Sequence, residues 1–523
     1  MRNRNNCSMF ITPVSEEELH KQLITLNKHK ATGPDEVSPG ILRLCVKEII
    51  IPLTHIINLS FSQGIVPQVL KLAKVFPIHK KNETFLPGNY RPISLLSSID
   101  KVVEKLMYSR ISKFLAINKI LYDYQFGFRE NHSTSMTLID ITDNIRDQLD
   151  KGNFTLGMFF DLKKAFDTVD HNILISKLEH YGIRGVAGKW ISSYLSNRQQ
   201  FTHVNGENSQ KRQINFGVPQ GSILGPLLFL LYINDIGQCT QEGNVRLFAD
   251  DTAIFVSHSN PKVLKEKAEV ILNNLQNWFI FNRLTLNIEK SNFSVYCSPN
   301  KAIPAYLNNL KIGTKKLERV HSVKYLGVTI DDKLTWNDHC NCLIQDLVKL
   351  SNSFKIIKNF ISDKNKYKLY NAYVLPKLRY GLEVYGNTSK GNMQKVQVMQ
   401  NRILKVLFNK DFLMPTKELH KELTLLLVND MHKHLIVQFV YKAKHKHLPS
   451  IFDNYYQENQ SLHNYSTRYA NQLHPPYSRT VTGSKSIKIS GVKAWNELPN
   501  YLTSIDSFSL FKKKTKQHYL ESY

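Results

Sequence analysis

The run VRLFADDTAIFV, residues 245–256, is apolar on both sides of two adjacent aspartates, Asp250 and Asp251. Its aliphatic and aromatic residues suit paired strands in a buried sheet. Like charges repel, and a buried unpaired carboxylate tends to take up a proton instead. Two readings of the pair therefore stand side by side: an exposed hairpin turn, where Asp is common, or a cation site.

The rest of the chain sets the context. Its 523 residues allow two to four domains, and 27 Phe and 24 Tyr supply core material. The net charge of +26 points to a polyanionic partner, nucleic acid before membrane. The charge is concentrated late: Thr335–Tyr523 holds 28 Lys and Arg against 13 Asp and Glu. Six scattered cysteines suit a reducing compartment. His339, Cys340 and Cys342 look like half a zinc site, but no second pair follows, and an ordinary helix start is the better reading. The longest apolar stretch, GPLLFLLYI, is far short of the ~20 residues a membrane helix needs. A soluble protein with no membrane partner is expected, intracellular in the nucleus or the cytoplasm.

Periodicity predicts the organisation. Ser15 and Glu18 form a capping box ahead of a first helix. AKVFPIHK reads as a strand and SIDKVVEKLMYSRISKFLAIN as an amphipathic helix. TLGMFFD is a strand ending at Asp161. DHNILISKLEHYG is a helix capped by Asp170 and stopped by Gly182. SILGPLLFLLYINDI, apolar all round, is a buried helix. A further helix, KVLKEKAEVILNNLQNWFIFN, precedes strands at NFSVYC and VKYLGVTI. The order strand, helix, helix, hairpin, helix, strand approaches the split β-α-β arrangement of ferredoxin-like sheets. In such a sheet the strand end carrying Asp161 can lie beside the hairpin tip carrying Asp250. Beyond Lys333 the pattern turns helical, with a seam at Leu343, Leu347, Leu350, Phe354, Ile357 and Ile361.

Three convergent carboxylates, Asp161, Asp250 and Asp251, are what two Mg²⁺ ions need for phosphoryl transfer, and the cations remove the repulsion within the pair. VPQGS, residues 218–222, is a turn entering a helix, where backbone can approach a phosphate closely. Lys80 and Arg91 are candidate donors from a separate layer.

The ordered set FFDLKKAFDTVDH, FGVPQGSILGPLLFLLYINDI, LFADDTAIF, LNIEKS and VKYLGVTI resembles a reverse transcriptase. NYRPISLLSSIDKVVEKLMYSRI and DYQFGFRENHSTSMTLIDI resemble the non-LTR, LINE-type and jockey-like retrotransposon enzymes. That resemblance implies an α+β right-hand polymerase of fingers, palm and thumb, with a ferredoxin-like palm sheet and a helical C-terminal region. It implies a leader over 1–57, fingers and palm over 58–332, a thumb over 333–410 and a basic region over 411–523. The activity implied is RNA-directed DNA synthesis with two Mg²⁺ ions, for which Mn²⁺ can substitute. Asp161, Asp250 and Asp251 are then the metal ligands. Phe166 is an aromatic gate against a 2′-hydroxyl, and its competing reading is a plain core residue. Gln220 and Gly221 hold the incoming nucleotide, whose phosphates Lys80 and Arg91 contact. Lys290 protonates pyrophosphate, and Tyr325, Leu326 and Gly327 form the primer grip. The implied partners are an RNA template, a DNA primer and deoxynucleoside triphosphates. The element's own RNA and an endonuclease domain that this chain leaves no room for are further candidates. A truncated copy or a piece of a longer polyprotein is therefore expected. The alternative is a catalytically defective or domesticated copy that only binds nucleic acid.

Overall fold

The computed structural model describes residues 4–240, 242–298, 300–461 and 470–523. The chain is a mixed α and β protein with two compact units. One comprises Met1–Phe128, Asp161–Gln241 and Ile271–Asn287, and the other Arg129–Phe160, Glu242–Val270 and Ile288–Tyr523.

In the first unit, strand Leu72–His79 pairs antiparallel with Tyr90–Leu95 and parallel with Arg198–Val204. Helix Glu16–Ile24 starts where Ser15 accepts the Glu18 N–H, and helix His171–His180 where Asp170 accepts the Ile173 N–H. Helix Leu224–Ile233 is buried on nearly every side, as its unbroken apolar sequence requires. Its entry is fixed by Glu104, a fully buried residue of helix Ser98–Ile117. One Glu104 carboxylate oxygen accepts the Ile223 N–H at 2.6 Å, and the other accepts the Tyr194 hydroxyl. Arg198 stacks over the Tyr194 ring and lies 3.8 Å from Asp100. Burial pushes the Asp100 and Glu104 carboxyls up, and Glu104 pushes Asp100 further.

In the second unit a five-stranded sheet has the order Glu318–Arg319, Asn292–Tyr296, Phe154–Phe160, Asp251–His258, Asn244–Phe248. Helix Thr134–Asp150 packs on it and carries Asp140, Asp143, Asp147 and Asp150 at three- and four-residue spacing, hence on one face. Each of the four has a partner. Asp140 accepts from Arg246 of the edge strand. Asp143 accepts the Ile487 N–H at 3.2 Å and lies 3.6 Å from Arg146. Asp147 pairs with Lys488 at 2.7 Å. Asp150 accepts the backbone N–H groups of Arg479 and Thr480 at 3.0 and 2.7 Å. Helices Asn337–Ile357 and Lys390–Phe408 pack together, and Val428–Lys444 packs on Ile487–Asn496 and Phe508–Glu521.

Three local expectations change. VKYLGVTI is a hairpin, with Tyr325 opposite Val328, because Leu326 and Gly327 both take positive φ and turn the chain. The strand at TLGMFFD ends at Phe160, one residue before Asp161. The helical seam is buried at Leu343, Leu347 and Phe354 but only half-buried at Leu350, and the helix ends at the exposed Ile357, so Ile361 falls outside it. His339 and Cys340 are buried on that helix and Cys342 is exposed. Among the described residues no helix is long and apolar enough to cross a membrane.

Glu104→Ala leaves the Tyr194 hydroxyl and the Ile223 N–H without their acceptor inside the core. It is expected to cost about 2–5 kcal/mol in urea unfolding, against about 1 kcal/mol for Tyr194→Phe.

Candidate active site

The sequence-predicted residues fall in both units. In the second, the strands Asn244–Phe248 and Asp251–His258 close with Phe248 opposite Asp251, so Ala249 and Asp250 form a two-residue turn. Both readings of the pair thus meet one geometry, with Asp250 in the turn and Asp251 opening the strand. Ala249 is buried and holds φ +55°, a conformation unusual for a residue other than glycine. Strain of this kind gathers at functional turns. In the central strand Phe160, the residue before Asp161, pairs with Thr252, the residue after Asp251. Among the described residues, no group of three or more His, Cys, Asp or Glu side chains is placed to hold a metal ion. The donors that Asp250 and Asp251 offer are carboxylate oxygens, the type Mg²⁺ prefers.

Tyr325 lies beneath this hairpin, its ring 5.3 Å from that of Phe159. Burial pushes its hydroxyl well up, and the charge of Asp251 pushes it further, against Arg246. The turn after it is doubly fixed. Gly327 sits at φ +80°, and a Cβ there would meet the Tyr380 ring at 3.0 Å. The Tyr380 hydroxyl donates to the Leu326 carbonyl at 2.6 Å. Lys290 is exposed on the turn before strand Asn292–Tyr296.

In the first unit Asp161 is anchored by Asn287. The Asn287 side-chain amide donates to the Asp161 carboxylate at 3.0 Å, and its backbone N–H to the Asp161 carbonyl at 2.8 Å. Phe166 is half-buried, its ring stacked 4.6 Å from Phe229 and edge-on to Phe128. Gln220 is held at both ends. Its side-chain amide donates to Asp167 at 2.8 Å, and its carbonyl accepts the Ser94 N–H at 2.7 Å. Gly221 takes φ +127°, and a Cβ there would lie 2.4 Å from the Ser94 carbonyl oxygen, so no larger residue fits. Ser94 shares its strand with Arg91, which pairs with Ile78, and Lys80 follows the partner strand. Lys80 and Arg91 are both exposed. This unit therefore brings Phe166, Gln220, Gly221 and the strand of Arg91 into one connected arrangement.

Sequence reasoning missed Asn287, Asp167, Tyr380 and the Arg246–Asp140 pair. All but Tyr380 stand inside stretches already quoted; for Asp167 and Asn287 the signal was a polar side chain within FFDLKKAFDTVDH and LNIEKS. Tyr380 and Asp140 carried none.

Tyr380→Phe deletes the donor to the Leu326 carbonyl. Hydrogen exchange at the amides of Leu326–Val328 is expected to accelerate, with global stability falling by only about 0.5–1.5 kcal/mol.

Comparison with known proteins follows the same lines. The family description "Reverse transcriptase (RNA-dependent DNA polymerase)" matches residues 78–330. The probable RNA-directed DNA polymerase from transposon BS of Drosophila melanogaster is 29% identical over 445 residues, covering 81% of this chain and 48% of that protein. The RNA-directed DNA polymerase from mobile element jockey of the same species is 27% identical, covering 80% and 46%. The probable polymerase from transposon X-element is 26% identical, covering 82% and 47%. The chain spans about half the length of these relatives. The matched residues 78–330 run from the strand of Ile78 through the Asp250–Asp251 hairpin to the turn at Leu326–Gly327, along which this chain is similar to reverse transcriptases.

Proposed function

We propose that the chain is an RNA-directed DNA polymerase of a non-LTR retrotransposon, extending a DNA primer on an RNA template from deoxynucleoside triphosphates. The observation that carries this reading is the Asp250–Asp251 turn within the stretch similar to reverse transcriptases, with the strand before Asp161 in register beside it. In this reading the five-stranded sheet is the palm, the hairpin of Lys80 and Arg91 belongs to the fingers, and the helices from Asn337 form the thumb.

Asp161, Asp250 and Asp251 would hold two Mg²⁺ ions, or Mn²⁺ in their place. Bound there, such ions lower the barrier to attack by a primer hydroxyl and stabilise the leaving oxygen. The chain's own residues supply the rest. The Asn287 bond fixes one oxygen of Asp161 and limits its rotation. Gln220 and Gly221 present a nucleotide-facing loop already ordered by Asp167 and Ser94, so little entropy remains to be lost on binding. Phe166, backed by Phe229, offers a rigid surface against which a 2′-hydroxyl would clash. Lys80 and Arg91 meet the triphosphate, and Lys290 supplies a proton to the departing pyrophosphate. The turn at Tyr325–Gly327 supports the primer strand. The setting is intracellular, nuclear or cytoplasmic, and an endonuclease and the element's own RNA are proposed partners.

Asp250→Asn keeps the side-chain volume and removes a charged ligand. Primer extension on an RNA template is expected to fall by at least ~10²-fold. Affinity for an RNA–DNA duplex should stay near the parent value, and extension at the parent rate would overturn the assignment.

Phe166→Ala opens the space beside the sugar. Incorporation of ribonucleotides relative to deoxynucleotides is expected to rise about tenfold or more. Unchanged discrimination would return Phe166 to a purely structural role against Phe229.

A further inference from the structure

The C-terminal half of the second unit contains a cavity of about 320 Å³ that the proposed polymerase site does not use. Arg379, Lys512, Lys513 and Lys516 line it, together with His434. Leu375, Leu426 and Met431 line it too, and no Asp or Glu does. The cations come from separate stretches of chain. Arg379 ends the short helix Leu375–Arg379, and the three lysines lie on helix Phe508–Glu521. Three of the four cations thus come from the basic run FKKKTK, and the fold brings Arg379 to meet them.

The groups are close enough to act on one another. Burial and then the charge of Arg379 lower the Lys516 ammonium pKa. Buried His434 is pushed down to about 3, by its burial first and then by Arg379, Lys512 and Lys516. Its Nδ1 lies 3.2 Å from the Thr515 hydroxyl, which fixes the ring against the cavity wall. The buried Glu383 carboxyl acts on Arg379 from outside the cavity but does not line it, so the lining cations still repel one another, and an anion seated among them relieves that repulsion.

We propose that this cavity is a binding site for a backbone phosphate of a nucleic-acid strand. The choice of a strand over other anions rests on the polymerase reading above, and on the surplus of 28 Lys and Arg over 13 Asp and Glu from Thr335 onward. Arg379 supplies a planar fork suited to phosphate oxygens, and the lysines supply mobile point charges at the rim.

The test measures binding of a labelled single-stranded RNA at several salt concentrations for the full-length chain and three double variants. Arg379→Gln with Lys516→Gln removes two cations from the cavity. Lys512→Gln with Lys513→Gln does so through exposed side chains only, which guards against a folding defect. Lys262→Gln with Lys315→Gln removes two exposed lysines elsewhere in the same unit. Each strand phosphate released from contact should flatten the slope of log affinity against log salt by about 0.7, so each cavity pair, which frees the one phosphate held there, should flatten it by about 0.7. The third pair should leave it near the parent value. Equal flattening by all three pairs, or by none, would overturn the proposal. Thermal unfolding with inorganic phosphate alone separates a strand site from a site for a free anion. Stabilisation that the cavity variants abolish while their RNA slopes stay parental would overturn the strand assignment. Primer extension by the parent chain, measured in parallel, keeps the two readings apart. Extension with unchanged slopes sinks only this site, and flattened slopes without extension sink only the polymerase.

Discussion

A carboxylate drawn out of water must find a partner or give up its charge, and helix Thr134–Asp150 places four carboxylates along one face, with Asp140 and Asp143 buried. That requirement organises the second unit. Arg246 answers Asp140 and fixes the edge strand leading into the Asp250 turn. Ile487, Lys488 and the 479–480 backbone answer Asp143, Asp147 and Asp150, and so bring the chain's last fifty residues onto the same helix. One row of aspartates thus joins the proposed catalytic hairpin to the basic C-terminal region. Burial holds the Asp143 carboxyl up, with Arg146 and the Ile487 amide working against that shift.

The first unit solves a parallel problem with one glutamate. Glu104 sits at the meeting point of three segments and orients the loop that enters helix Leu224–Ile233. The same loop carries Gln220 and Gly221, each set against Ser94. Order at the proposed nucleotide-facing loop therefore comes from the buried polar cluster at its exit together with the loop's own Gln220, Gly221 and Ser222.

Much of this was legible in the sequence where the signal is local. The apolar run around Asp250 predicts a strand pair, and the Asp170 cap and the buried helix Leu224–Ile233 follow from spacing alone. The strands at AKVFPIHK and NFSVYC likewise stand where period and composition place them. What stayed hidden depends on distant partners. Asp140 and Arg246 are 106 residues apart, and Asn287 reaches Asp161 across 126. No periodicity reports such pairs. The hairpin at Leu326 was missed for another reason: leucine at positive φ carries no turn signal, and only the Tyr380 hydroxyl and Gly327 make the conformation tenable.

The acidic face of helix Thr134–Asp150 also dictates an order of events during synthesis. Asp143 and its backbone partner at Ile487 lie 344 residues apart. At ribosomal speeds of roughly 5–20 residues per second, the helix leaves the ribosome many seconds before that partner exists. Through that interval Asp143 has only Arg146 of its own helix, and Asp147 and Asp150 face water, although Asp140 gains Arg246 after 106 residues. The helix behind the hairpin of Asp250 and Asp251 therefore acquires its last partners only when residues 479–488 arrive, so a nascent chain stalled short of Arg479 would hold that hairpin on an unfinished scaffold.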